Sequence, residues 1–482
     1  MIQMKEKAWG WIDQNRVRLA EMSDAIWGYA ELGLWEIKSS KLIADELERH
    51  GFSIMRGVSG MPTAFVATWG EGKPVIGVQG EFDALPGISQ KVKPVKEALR
   101  PGAAGHGCGH NVHGVSGMAG AIAMRYALEE AGKAATVKFF GTPAEENYGG
   151  KVYMVREGHY DDVDACLSHH PSSMNTARLS SNNSVNGVKF HFYGKTSHAA
   201  GSPEQGRSAL DAIELMNVGV NYLREHVIDK ARIHYVIEEG GGQPNVVPDY
   251  ARSWYYIRAP ERDQLEPIYQ RILKIAEGAA LMTETKLKVE FIDGIYNVIP
   301  SKVLAELVVK NMREVAAPTY TEEELEFAAK IAESFPKEQK VDALRRLKVP
   351  GWERYVDVDL PTDVVDPWGE GEVMAGSSDV GDVSWKTPTT EFGTTLNVLG
   401  APGYSWQFVA CSGSTVAHKS LVFAAKTIAG AGLDLIMDPE LLRKAKEEHA
   451  DRVKGRTYRS PIPDEVQPPL EIAKVAAVKA QG

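Results

Sequence analysis

Pro74-Val75-Ile76-Gly77-Val78-Gln79-Gly80-Glu81-Phe82-Asp83-Ala84-Leu85-Pro86-Gly87 places a short apolar run directly before two carboxylates and a Pro-Gly turn. A β-rich run bounded by Gly72 and Gly80 predicts a strand, so Glu81 and Asp83 fall in the loop just beyond its end. The same order returns downstream. Residues 136–140 run into Gly141-Thr142-Pro143-Ala144-Glu145-Glu146, and residues 163–167 run into His169-His170-Pro171. Residues 115–131, small and apolar, have helical character. Strands alternating with helices predict an α/β sheet, whose ligands bind in the loops beyond the strand ends.

Upstream, residues 4–31 and 38–50 carry apolar positions at helical spacing, with Gly51 at the expected stop, and predict two opening helices. Residues 63–69 read as another strand, and residues 89–105 as a polar, Pro-containing surface excursion. From Asn186 the texture changes. Residues 188–193 alternate, 208–226 are amphipathic, 233–237 and 251–257 are strand-like, and 264–281 are helical again. That β-α-β-β-α-β order, over about a hundred residues, is the signature of a ferredoxin-like insert. Near Ile299 the α/β character resumes, so residues 1–186 and 299–482 form the two parts of a catalytic domain around an insert at 187–298. The Glu/Lys-rich stretch 321–347 predicts exposed helix. Residues 350–376 are a long acidic loop that either flanks a site or is plain surface.

The chain of 482 residues is 43% hydrophobic and 24% charged, which fits a multi-domain globular protein with a large core. Its 64 acidic and 54 basic residues give a formal charge of −10 with no basic run, so nucleic acid is not an expected partner. The N-terminus lacks an apolar signal core, and no stretch reads as the roughly 20 apolar residues of a membrane span. Cys108, Cys166 and Cys411 are too few and too scattered for a disulfide framework. The expectation is a cytoplasmic protein with free thiols and no membrane partner.

The densest chemical signal is His106-Gly107-Cys108-Gly109-His110-Asn111-Val112-His113, at a loop-to-helix junction. A thiolate and an imidazole two residues apart on a glycine-loosened loop can converge on one ion. A glycine turn with helix-capping groups explains the same stretch equally well. Glu145-Glu146 puts two adjacent carboxylates at a strand end, where one can bind a metal while the other takes and returns a proton. Taken alone, the pair reads as a solvated acidic turn. His169-His170 and His418 would complete a nitrogen, oxygen and sulfur donor set. The weight comes from co-occurrence, each donor lying directly after a strand or before a helix.

Taken together, these stretches resemble the M20 metallopeptidases and, within them, the amidohydrolase branch of p-aminobenzoyl-glutamate hydrolase B-type chains. The matching segments are residues 80–85, 105–111, 143–146, 154–158, 197–200 with 206–212, 244–248, 377–385 and 417–419, in family order across nearly the whole chain. The resemblance implies a central mixed sheet flanked by helices with an inserted ferredoxin-like dimerisation, or lid, domain. It implies Cys108, His110, Glu146, His170 and His418 as ligands of two divalent ions, manganese or zinc, and Glu145 as general base. His170 is preferred to His169 because the family ligand directly precedes the proline turn.

His198 falls on the family histidine that polarises the scissile carbonyl, often from a partner chain. Asn245 and Arg258 fall where the insert holds a substrate carboxylate, a task suited to a guanidinium fork. Asp379 matches an acidic turn that orients ligands. Two positions depart from the wider family: Asn111 stands where an aspartate is common, and Gln79-Gly80-Glu81 replaces Arg-Ala-Asp. The implied reaction is hydrolysis of the amide of an N-acyl amino acid such as p-aminobenzoyl-glutamate. A β-alanyl or other dipeptide is the rival substrate, and a non-catalytic binding chain the rival class. A homodimer is implied, and an A-type partner chain is left open.

Overall fold

The computed structural model describes residues 2–481. Seven strands form its larger sheet, in the spatial order Ser53–Arg56, Phe65–Gly70, Thr136–Gly141, Val75–Gly80, Ala165–His169, Thr389–Gly393 and Thr176–Ala177. Val75–Gly80 runs parallel to both Thr136–Gly141 and Ala165–His169, and the latter parallel to Thr389–Gly393. The remaining pairings are antiparallel, so the sheet is mixed. Because the three inner strands point the same way, the segments that follow Gly80, Gly141 and His169 emerge at one edge. That edge carries Glu81, Asp83, Glu145, Glu146 and His170.

Val75–Gly80 is buried along its whole length, as a strand covered on both faces must be. The helix His110–Glu130 lies against it. Gly117 permits the approach: a Cβ there would sit 2.5 Å from the Gln79 carbonyl oxygen. Helices Ile2–Tyr29, His110–Glu130 and Thr415–Met437 pack on one another in the main core. Thr415–Met437 corrects one sequence expectation, since it is long and apolar enough to cross a membrane. With 78% of its apolar window buried inside the fold, it is a core helix.

Residues between Ser184 and Ile295 form a four-stranded antiparallel sheet, in the order Lys286–Ile295, Ser184–Tyr193, Tyr250–Ala259 and Arg232–Glu239. Helices Ala209–Leu223 and Arg262–Thr283 cover one face, which gives the ferredoxin-like arrangement. Tyr250–Ala259 alternates strictly between buried and half-buried residues, as a sheet covered on one side requires. Its inward residues join Phe190, Phe192, Ile213 and Ile272 in a separate core, where each large apolar side chain contributes about 1.5–3 kcal/mol.

Three elements differ from the sequence reading. Ser53–Arg56 is an added edge strand, largely exposed and without an alternating pattern to announce it. The stretch 321–347 is two helices, Glu322–Ala332 and Lys337–Arg346, the first started by a Thr321/Glu324 capping box. Pro336, extended and lacking an N–H, separates them. The acidic loop is packed rather than free. Tyr355 and Val365 enter a small core with Leu344, Val349 and Leu399, and Val373–Met374 pairs in parallel with Ser181–Asn182. It leads the chain to Asp379.

Candidate metal centre

Gly109, at φ 78, bends the chain so that Cys108 precedes and His110 opens the helix His110–Glu130. Cys108 Sγ lies 3.3 Å from His170 Nε2, and one donor atom each of Cys108, His110 and His170 lies within 4.8 Å of the others. Glu81, His110 and Glu145 form a second such group with the same mutual limit. Ala144, at φ 60, turns the backbone just before Glu145-Glu146, and its N–H is fixed 2.8 Å from the buried Glu36 carboxylate. Cys108, Glu145, Glu146 and His170 are half-buried, while Glu81 and His110 lie beneath them, fully covered.

The imidazoles are held with a lone pair turned inward. His110 Nδ1 donates to Asp83 Oδ1 at 2.8 Å, leaving Nε2 toward Glu81 Oε2 at 3.1 Å. His170 Nδ1 donates to the Pro171 carbonyl oxygen at 3.0 Å, leaving Nε2 toward Cys108. His169 is different. Both its nitrogens are taken, by Ser116 Oγ and Thr394 Oγ1 at 2.8 Å each, so only His170 of the pair faces the cluster. His110 Nε2 is buried with no hydrogen-bond partner and is turned on the Glu81 carboxylate, whose other oxygen is taken by Lys151. Buried donors turned on one another are unfavourable unless a cation lies among them, so the residues present fit a divalent metal.

Under this cluster runs a buried charge network. Lys151 Nζ bridges Glu81 Oε1 at 2.5 Å and Asp379 Oδ1 at 2.6 Å, and its N–H donates to Asp379 Oδ2 at 2.9 Å. Burial opposes ionisation of Glu81, but Lys151, His113 and His110 outweigh it and hold that carboxyl below its usual range. Glu145 goes the other way. Burial and the charges of Glu81, Glu146 and Asp379 raise its proton affinity well above that of an ordinary carboxylate. Glu146 is pushed up to about 7, chiefly by burial, with His110 opposing. Two adjacent carboxyls thus sit beside a third that stays ionised.

His418 is not brought to the cluster, which corrects the expected ligand set. Its Nε2 pairs with Asp24 Oδ1 at 2.7 Å on the rim of a groove of about 540 Å³ between helices Ile2–Tyr29 and Thr415–Met437. The first turn of the latter helix presents position 418 to Asp24. The side chain found at the open side of the cluster is Tyr404, whose N–H donates to the Gly107 carbonyl oxygen at 3.1 Å and whose phenol hydrogen-bonds the Glu146 carboxyl. No donor-type motif marks it. Glu81, Asp83 and Lys151 were also absent from the expected set, although the strand-to-loop pattern had placed the first two at the sheet edge. Asn111 points elsewhere, to Ser23 Oγ at 3.0 Å and the Ser412 carbonyl oxygen at 2.9 Å.

The insert residues divide. Arg258, half-buried, donates to Ser377 Oγ at 2.8 Å, two residues before Asp379. His198 and Asn245 lie at the other end of the same sheet, on loops joined by the Ala199 N–H to the Asn245 carbonyl oxygen at 3.0 Å and by the His198/Val246 bridge. Tyr250 to Arg258 spans the strand between them, roughly 26 Å at about 3.3 Å per residue. Within one chain, therefore, Arg258 meets the segment that leads to Asp379, while His198 and Asn245 lie a strand's length away from it.

Parallel strand ends that gather thiolate, imidazole and carboxylate donors, under an inserted ferredoxin-like unit, define a metal-dependent hydrolase of amide bonds. The chain belongs to peptidase family M20/M25/M40, whose family model matches residues 77–355. It is 39% identical over 470 residues to the B-type chain of p-aminobenzoyl-glutamate hydrolase from Escherichia coli (strain K12), covering 95% of this chain and 97% of that one. It is 30% identical to the Xaa-Arg dipeptidase of Mus musculus, covering 92% of each. In fold it is similar to a dinuclear metal binding peptidase of the M20 family from Bacillus subtilis, with a TM-score of 0.56, 17% identity, and coverage of 88% of this chain and 99% of that one.

Proposed function

We propose that this chain hydrolyses the amide bond of an N-acyl amino acid with an aromatic acyl group, p-aminobenzoyl-glutamate or a close analogue, at the cluster of Cys108, His110, Glu145, Glu146 and His170. The observation that carries the reading is the convergence of donor atoms in two groups that share His110, one with Cys108 and His170 and one with Glu81 and Glu145, each within 4.8 Å. The similarity to the B-type hydrolase chain along nearly the full length supports the substrate class. Two divalent ions held there would supply Lewis acidity for water activation, with thiolate and imidazole suiting zinc and the carboxylates manganese.

Glu145 is the general base. Its raised proton affinity suits a carboxylate that accepts a proton at an oxygen and then delivers it to the leaving amine nitrogen. Glu146 serves as the ligand beside it. Arg258 offers its guanidinium to the substrate carboxylate from the wall formed with Ser377. In a homodimer joined through the insert, residues 187–298, the loops of His198 and Asn245 from one copy would face the cluster of the other. His198 would there donate to the scissile carbonyl oxygen. An A-type chain is the alternative occupant of that position. The free cysteines suit a cytoplasmic setting.

The 30% identity to an Xaa-Arg dipeptidase favours a second reading, cleavage of a dipeptide. Assay of the chain alone, with manganese or zinc, against p-aminobenzoyl-glutamate, other N-acyl amino acids, β-alanyl dipeptides and Xaa-Arg dipeptides separates the two. Preference for the aroyl-glutamate is expected, and turnover confined to dipeptides would replace this reading.

A further inference from the structure

The segment Ala401-Pro402-Gly403-Tyr404-Ser405 is docked on the ligand loop. Tyr404 N–H donates to the Gly107 carbonyl oxygen at 3.1 Å. Gly107 makes room for it, since a Cβ at that glycine would lie 3.2 Å from Tyr404 Cα. Tyr404 holds φ 56, a left-handed conformation that is unfavourable for a residue with a side chain and persists only where the surroundings fix it. What this backbone aims is the phenol, which hydrogen-bonds the Glu146 carboxyl in the neighbourhood of Cys108 and Glu145. Tyr404 is 59% exposed, so it stands on the open side of the cluster rather than in the core. On that side the expected donor set is one short, because His418 is paired with Asp24.

We propose that Tyr404 is a further oxygen donor of the metal centre, its phenol completing the Cys108 and Glu146 side in the place that sequence reasoning gave to His418. The proposal rests on the metal-centre reading above. Coordination exchanges the phenol proton for the ion, the proton passing to water, and gives the centre a harder, more anionic donor than an imidazole. The same placement leaves the ring at the mouth of the cleft, against incoming substrate.

The test uses cobalt(II) as the probe. Chelated and dialysed wild-type protein, Tyr404→Phe and Tyr404→His are titrated with cobalt, reading bound metal per chain and the visible d–d spectrum, with the thermal midpoint of each as a check on folding. The expected result is that the wild type takes up two ions. Tyr404→Phe should then bind one of them roughly 10–100-fold more weakly with an altered spectrum, and Tyr404→His should restore uptake. Unchanged affinity and spectrum in Tyr404→Phe would overturn the proposal, even with lowered turnover, because the phenol would then act on substrate alone. A wild type that binds no cobalt would remove the metal-centre reading, and this inference with it.

Discussion

One carboxylate, Asp83, fixes His110: its Oδ1 accepts a hydrogen bond from His110 Nδ1 at 2.8 Å, and its Oδ2 accepts one from the N–H of Glu146 at 3.0 Å. The ring orientation of one donor and the backbone of another are thus set together from beneath. Asp83→Asn keeps the shape but weakens both contacts. It should lower metal affinity roughly 10–100-fold with little change in thermal midpoint under saturating metal. Competition titration against a chelator reads this, and an unchanged affinity would argue that Asp83 is a bystander.

Glu145 and Glu146 separate by role. Glu145→Gln removes the group that carries the proton while leaving the neighbouring donors, so kcat should fall about 10²–10⁴-fold or more with metal content unchanged. Full activity in a metal-loaded Glu145→Gln protein would reject the base assignment.

His418→Ala should leave metal content and turnover as they are, since the imidazole pairs with Asp24 on a partly exposed rim. The loss of such a pair is worth about 0–1 kcal/mol. A variant that binds less metal would return His418 to the centre.

Away from the cluster, Asp382 supplies a pH dependence. Burial pushes its carboxyl from 3.8 up to about 7, and it accepts hydrogen bonds from the Tyr296 N–H at 3.0 Å and the Tyr458 hydroxyl at 2.8 Å. The folded state holds this proton more tightly than the unfolded state. Its stabilisation is therefore full below the ordinary carboxylate pKa and is lost as pH rises through about 7. Between pH 5 and pH 8 the urea midpoint should fall less in Asp382→Asn than in the wild type. Equal falls in both would show that other groups carry the slope.

Much of this architecture is legible in the sequence because glycines and β-branched runs mark the strands, and the residues directly after them carry the chemistry. Glu145, Glu146 and His170 follow strands whose parallel pairing no local pattern states, yet the pattern alone puts them beyond strand ends. The choice of His170 over His169 could be made from sequence only through the proline that follows. The structure supplies the physical reason, in that the hydroxyls of Ser116 and Thr394 occupy both nitrogens of His169. His418 misleads because a histidine at a helix start fits the motif, while its orientation is decided by the packing of Ile2–Tyr29 against Thr415–Met437. Tyr404 and Lys151 are invisible locally. A tyrosine after Pro-Gly and a lysine in a helix first turn acquire meaning only once residues some three hundred and two hundred positions apart meet.

The central claim is a hydrolytic metal centre built on Cys108, His110, Glu145, Glu146 and His170. Its most direct measurement is hydrolysis of p-aminobenzoyl-glutamate by the purified chain, before and after chelation and after return of manganese or zinc, with bound metal counted at each stage. The account predicts activity that disappears with the metal, returns with about two ions per chain, and is absent from metal-loaded Glu145→Gln. Hydrolysis that survives complete removal of metal would contradict it.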